Sequence, residues 1–281
     1  MQIAIVGTGA IGSTFAYQLA RAGHAVTVIA RGARLEQLER DGAVIRASGE
    51  RAAVQVNGVI DVRVAYDLVL ATVLATQVAA VLPALRASAA KKVMFMFNTF
   101  DPLDPLREAV GAGRFAFGFP AGVFTLLREG KIEPQIRSGT TTDDAAWAKS
   151  FTDAGIPTVV DGDMHAWLRS HAALVIPLMA IGTVVHQSGA AISWPEAGRY
   201  AAAMTQAFEV VHALGHRITP SILRLMSRLP RAVVTATLWA LSRTKMLRDL
   251  GALGPAESRM LIDMMTAAAP GKTGALLAIR P

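Results

Sequence analysis

The sequence predicts an α/β chain, with a doubly wound, mostly parallel sheet in its first part and an all-helical domain after it. Three observations carry this prediction. Apolar strands alternate with helical segments up to about residue 162. A glycine-rich turn joins the first strand to the first helix. Beyond Gly162, long apolar segments follow one another and no strand alternation returns. The expected boundaries are 1–162 for the sheet domain and 163–281 for the helical one.

The chain opens MQIAIVGTGAIGSTFAYQLARAGHAVTVIAR. A β-branched run at 3–6 leads into Gly7-Thr8-Gly9-Ala10-Ile11-Gly12, and a helix with Phe15 and Leu19 on its apolar side follows. A second strand covers 25–29. Strand, G-x-G-x-x-G, helix and strand within about thirty residues is the context that makes this motif a dinucleotide cradle. Gly7 allows the tight turn, Gly9 lets a pyrophosphate approach the main chain, and Gly12 lets the helix pack close to the sheet. The N–H groups of Thr8, Ala10 and Ile11 then meet the phosphates at the positive end of the helix.

The end of the second strand indicates which dinucleotide. An NAD-binding unit places a carboxylate there for the ribose 2′-hydroxyl, but this strand ends Val28-Ile29-Ala30-Arg31-Gly32. Arg31 is an always-charged fork that suits a 2′-phosphate, so NADP(H) is expected over NAD(H). Arg34 either adds a second contact or closes over the adenine.

Further along, 67–72 reads as a strand ending in Thr72, which is counted among the cofactor contacts, and 76–86 reads as a helix. Strands at 93–97 and 115–119 follow, then a hairpin over 123–136 that turns at Arg128-Glu129-Gly130-Lys131. Antiparallel pairing is therefore expected late in the sheet. The helical part reads as 163–188, starting after the N-cap Asp163, then 195–215, 219–228, 231–248 and 255–268. The tail Pro270-Gly-Lys-Thr-Gly274 reads as a loop.

Composition excludes several classes. Of the 281 residues 52% are apolar, yet the longest apolar run, 172–185, contains Pro177 and Gly182 and is too short to span a bilayer. It is read as a buried core helix, with no membrane partner. The chain starts directly in a strand, so no cleavable leader is expected and the location is taken as cytoplasmic. With no cysteine there is neither a disulfide nor a thiolate metal site, and no metal is expected. The net charge of +7 is spread over helices without a basic block, which argues against nucleic acid and for attraction of small anions. Trp239 and the methionine-rich stretch 260–265 belong either to the core or to a homodimer face.

These features together resemble the ketopantoate reductase (2-dehydropantoate 2-reductase) family, a Rossmann-type NADP domain joined to a helical domain. The resemblance is strongest in GTGAIGSTFAYQLARAGHAVTVIAR. It implies that Gln77 in LATQVAAVL contacts the cofactor, and that Asn98 in MFMFNTFDPL sits beside the nicotinamide. The family lysine a few residues before the glutamine is replaced by Val73 or Leu74. With Trp167 as anchor, Arg169 takes the place of the family's catalytic lysine, and the two family asparagines fall at Ala173 and at or beside Pro177. The family's Ser and Glu twelve residues apart correspond to Lys245 and Glu257.

The resemblance implies an NADPH-dependent reduction of a small 2-oxo acid, 2-dehydropantoate to pantoate included. Such a reaction needs charge stabilisation and a proton at the carbonyl oxygen. Arginine supplies the charge but keeps its protons. Arg169, Lys245, Glu257 and Asn98 are therefore the catalytic candidates, with Lys245 ranked above His171 as proton donor. A different hydroxy-acid or opine-like dehydrogenase, or a non-catalytic NADP(H)-binding protein, is the alternative.

Overall fold

The computed structural model describes residues 1–252 and 254–281. These form two compact units, Met1–Phe97 with Leu103–Met164, and Asn98–Pro102 with His165–Pro281.

In the first unit, β1 (Gln2–Val6), α1 (Ala10–Arg21) and β2 (Ala25–Ile29) follow the expected order, and α2 (Gly32–Asp41) comes next. Three short strands, β3 (Ala43–Arg46), β4 (Arg51–Ala53) and β5 (Gln55–Asn57), precede β6 (Leu68–Ala71). A 3-10 turn at Ala75–Gln77 opens α3 (Val78–Ala87). After β7 (Val93–Met96) come α4 (Asp104–Val110), β8 (Phe115–Pro120), the hairpin β9 (Val123–Arg128) and β10 (Lys131–Ile136), β11 (Thr140–Thr142), α5 (Ala145–Asp153) and β12 (Thr158–Val160).

Eight strands make one sheet in the order β12-β11-β8-β7-β6-β1-β2-β5. Its centre is parallel, with Ile3 paired to Val26 on one side and Leu68 on the other. Both faces of β1, β6 and β7 are buried, which is why those strands are continuous apolar runs rather than alternating ones. The antiparallel pairing late in this sheet is made by β11 with β8, at residues the sequence reading did not give as a strand. The hairpin turns where expected but does not extend this sheet: β9 and β10 join β3 and β4 in a second, four-stranded sheet.

The second unit holds α6 (Met164–Ser188), α7 (Trp194–Ala213), α8 (Ser221–Met226), α9 (Arg231–Leu241), α10 (Lys245–Gly251), α11 (Ala256–Ala268) and α12 (Gly274–Leu277). Helix α6 is long and apolar enough to cross a membrane, but 72% of that window is buried inside the protein, and Ala172, Ala173, Ile176 and Ile181 belong to the core. Helix α7 starts on a capping box: Ser193 Oγ accepts from Glu196 N, and Glu196 Oε2 accepts from Ser193 N at 2.7 Å. The expected single helix over 231–248 is two, because Thr244 caps a new start by accepting from Leu247 N. Helices α6 and α10 touch backbone to backbone: a Cβ on Gly251 would lie 1.9 Å from the Gly182 carbonyl oxygen. The methionine-rich stretch is core, with Met265 fully buried and Met260 and Met264 packed against it. Trp239 is 36% exposed and meets Trp194 edge-on.

Candidate functional sites in the two units

Within the first unit, the sharp exit from β1 is made at Gly7, whose φ of +95° excludes most side chains. A Cβ there would also lie 2.8 Å from Val73 Cγ1. Gly12 sits in the first turn of α1 with no room for a methyl group, which would fall 2.2 Å from the Gly7 carbonyl oxygen and 2.5 Å from Thr72 Oγ1. Gly9, the N-cap of α1, has open space where its Cβ would be. Ala10 and Ile11 are the first two helical residues and leave their N–H groups at the helix entrance.

Several expected ligands also hold this loop together. Thr72 Oγ1 donates to the Gly7 carbonyl at 2.6 Å. Thr8 O accepts from Ser13 Oγ and from Arg34 Nε, both at 3.1 Å. The Thr8 hydroxyl is buried without a partner among the described residues. Arg34 also reaches Ser13 Oγ (2.7 Å), the Gly130 carbonyl (2.9 Å) and Gln37. These bonds use four of the five N–H groups of the Arg34 fork on the chain itself, which counts against a role as a second phosphate contact. Burial lowers the pKa of Arg34, with Asp41 acting in the opposite sense. Arg31, by contrast, is the exposed N-cap residue of α2. Gln77 is exposed, and its Oε1 accepts from Leu74 N at 3.3 Å.

In the second unit, the segment Asn98–Pro102 meets α6 and α11. The Asn98 side chain hydrogen-bonds the carboxyl of Glu257, which lies in the first turn of α11. Burial pushes the Glu257 carboxyl up, and the bond from Asn98 offsets part of that rise. Asn98 is 6% exposed, and its buried Oδ1 has no partner among the described residues. A buried orphan acceptor is costly and rare.

Arg169 lies one turn into α6 and is also 6% exposed. Its Nε donates to the Phe100 carbonyl at 3.1 Å, its Nη1 donates to His216 Nε2 at 2.5 Å, and its guanidinium carbon stands 4.8 Å from the centre of the Phe100 ring. Burial lowers its pKa, and Asp101 raises it by a smaller amount. The His216 ring is met edge-on by His165 at 4.8 Å.

Lys245 is not part of this grouping. It begins α10 with its side chain 86% exposed and ion-paired to Asp249 in the next turn. The residues of that helix that turn inward are Leu247 and Gly251. This corrects its ranking as proton donor. His171 stacks on Trp167 with ring centres 5.1 Å apart, and burial pushes its pKa down to about 4, so near neutrality it is the neutral imidazole and not the acidic imidazolium. Sequence reasoning missed His216 and Phe100. His216 follows Gly215 at the end of α7, 47 positions from Arg169, and no local spacing connects the two.

The sequence profile of the family described as Ketopantoate reductase PanE/ApbA matches residues 3–143. No curated protein sequence matches the chain. Among solved structures, the PanE/ApbA family ketopantoate reductase from Ralstonia eutropha JMP134 is similar at 22% identity and TM-score 0.73, covering 100% of this chain and 97% of that one. D-Mandelate dehydrogenase in complex with NADH is similar at 14% identity and TM-score 0.71, covering 100% and 97%. Dimeric ketopantoate reductase from Staphylococcus aureus is similar at 15% identity and TM-score 0.67, covering 100% and 96%. At these identities the structural likeness is one of fold.

Proposed function

The chain belongs to the ketopantoate reductase PanE/ApbA family, and from that premise we propose that it is an NADPH-dependent reductase of small 2-oxo acids, with 2-dehydropantoate as the first substrate to try. The observation that carries the reading is the pairing of Asn98 with Glu257, which leaves one buried amide oxygen without a donor among the described residues.

The cradle fits the cofactor. Gly7 and Gly12 have no room for a side chain, and Gly9 has open space where a phosphate would approach. In this reading Thr8, Ala10 and Ile11 offer N–H groups to the pyrophosphate, Arg31 binds the 2′-phosphate, and Thr72 keeps the loop in shape. Gln77 is a further cofactor contact. A bound reduced nicotinamide supplies the hydride.

The second unit supplies the acid chemistry. Reducing a carbonyl needs a proton at its oxygen as the hydride reaches its carbon. Glu257, held protonated to higher pH than a free carboxyl, is the residue suited to give it. Asn98 orients that carboxyl and accepts from the substrate or from the carboxamide of the nicotinamide. Arg169 supplies fixed positive charge. The likeness to D-mandelate dehydrogenase favours one second reading, oxidation of a 2-hydroxy acid at the same residues, with Glu257 as proton acceptor.

The assay is NADPH oxidation over a panel of 2-oxo acids that includes 2-dehydropantoate, with NADP+ reduction over the matching hydroxy acids. Turnover in neither direction overturns the reading. A homodimer is the assembly expected from the dimeric relative, and light scattering would measure it.

A further inference from the structure

We propose that Arg169 is the carboxylate-binding residue of the second unit and that His216 is the residue that positions it. The proposal rests on the oxidoreductase reading for the substrate's identity, but the binding it describes is measurable without turnover.

The guanidinium of Arg169 is a buried charge left uncompensated among the described residues. Arg169 is 6% exposed, yet no carboxylate among the described residues lies within ion-pair reach of its guanidinium, Asp101 acting only from further away. Buried cations are ordinarily paired, because a charge removed from water without a counter-ion is strongly destabilising. Two of the five N–H bonds of the fork are used, one on the Phe100 carbonyl and one on His216. The remaining three have no acceptor among the described residues, and a carboxylate is the ligand that matches such a fork edge-on.

The surroundings fix the direction from which an anion comes. The Phe100 ring covers one face of the guanidinium, so the ligand approaches in its plane. Arginine only donates, so His216 Nε2 accepts and its proton sits on Nδ1, which makes the imidazole neutral. His165, edge-on to His216, restricts the tilt of that ring. A neutral imidazole holds the fork in one orientation without cancelling its charge, which a carboxylate in the same place would do. The second donor-seeking group, Asn98 Oδ1, is on the same five-residue segment as Phe100. An anion beside a group that takes a hydrogen-bond donor describes a ligand whose carboxylate adjoins a carbonyl or hydroxyl carbon, as in 2-oxo and 2-hydroxy acids.

The test titrates the NADP+-saturated protein with oxamate and with oxamide, its uncharged counterpart, by calorimetry. Wild type is expected to bind oxamate and to discriminate against oxamide. Arg169→Gln is expected to weaken oxamate by about 100-fold while leaving oxamide unchanged. His216→Phe is expected to weaken oxamate about tenfold, with recovery in His216→Gln, whose side-chain oxygen again accepts from the fork. On a reducible 2-oxo acid, His216→Phe should raise KM with kcat held, whereas the methyl ester of that acid should show no change. If Arg169→Gln does not fold by circular dichroism, Arg169→Lys carries the same comparison, since an ammonium keeps the charge but loses the fork. Oxamate binding absent from wild type, or unchanged in the folded Arg169 variants, overturns the proposal. Arginine-dependent oxamate binding in a protein that turns over no 2-oxo acid leaves this inference standing and rejects the reductase reading.

Discussion

The glycine loop of the first unit and the Asn98–Glu257–Arg169 group of the second differ in what their own chain satisfies. Around the loop, carbonyls are met from within: Thr72 donates to Gly7 O, and Ser13 and Arg34 donate to Thr8 O. Among the described residues the loop leaves the Thr8 hydroxyl unmet, whereas the second group lacks both a donor for its amide oxygen and a counter-ion for its buried guanidinium. A site built from backbone shape can close its own hydrogen bonds and still bind through main-chain N–H groups. A site built from side chains has to leave some of them unmet for its ligand.

Substitutions in each unit separate the two kinds of site. The largest effect belongs to shape. Gly12→Ala sets a methyl group 2.2 Å from a backbone oxygen. It should abolish measurable NADPH binding in a fluorescence titration and lower stability by about 1–3 kcal/mol. Gly251→Ala is the matching test in the second unit: backbone stands where the methyl would go, so stability should fall by at least about 3 kcal/mol in urea denaturation, whether or not cofactor is present.

Single charges come next. Arg31→Ala should raise the Kd for NADPH by about 30-fold and leave that for NADH within about threefold; equal losses for both would show that Arg31 does not read the 2′-phosphate. Glu257 carries a pH signature. Its folded pKa lies above the unfolded value of 4.5, so its native carboxyl is relatively favoured at low pH and increasingly costly as pH rises through that value and then through the folded one. The melting temperature of wild type relative to Glu257→Gln should therefore decline from pH 4 towards neutrality, by about 2 °C. A flat difference would mean the carboxyl is solvated. The smallest effect is expected at Lys245, an exposed half of a surface ion pair: Lys245→Ala should leave kcat/KM within about twofold and stability within about 0.5 kcal/mol.

The same division explains what could be read from the sequence. The loop was legible because glycines at 7, 9 and 12 encode backbone geometry directly, and the strand and helix beside them confirm the context. Arg31 was legible as a position, at the end of a strand whose length is set by its apolar run. The Arg34 network was not, because its partner Gly130 belongs to a hairpin 96 residues away. The second sheet was missed for a related reason: β3 and β4 are only four and three residues long, too short to show an alternation of their own, so their strand character comes from pairing with β10 and with each other. In the helical part, apolar periodicity gave the segments, but the break at Ser242–Thr244 depended on one hydroxyl capping the next helix. Glu257 was found through its spacing from Lys245, although the residue that anchored the spacing is itself in solvent. His216 had no signature, because a contact across 47 positions is a property of helix packing.

One feature bears on how the protein can be dissected. The five residues from Asn98 to Pro102 are numbered among the strands but count with the helices. A fragment begun at His165 would be missing the amide that steadies Glu257 and both the carbonyl and the ring that fix Arg169. Chimaeras that exchange helical halves between relatives must therefore transplant this pentapeptide as well, or they will inherit Glu257 and Arg169 stripped of the groups that hold them.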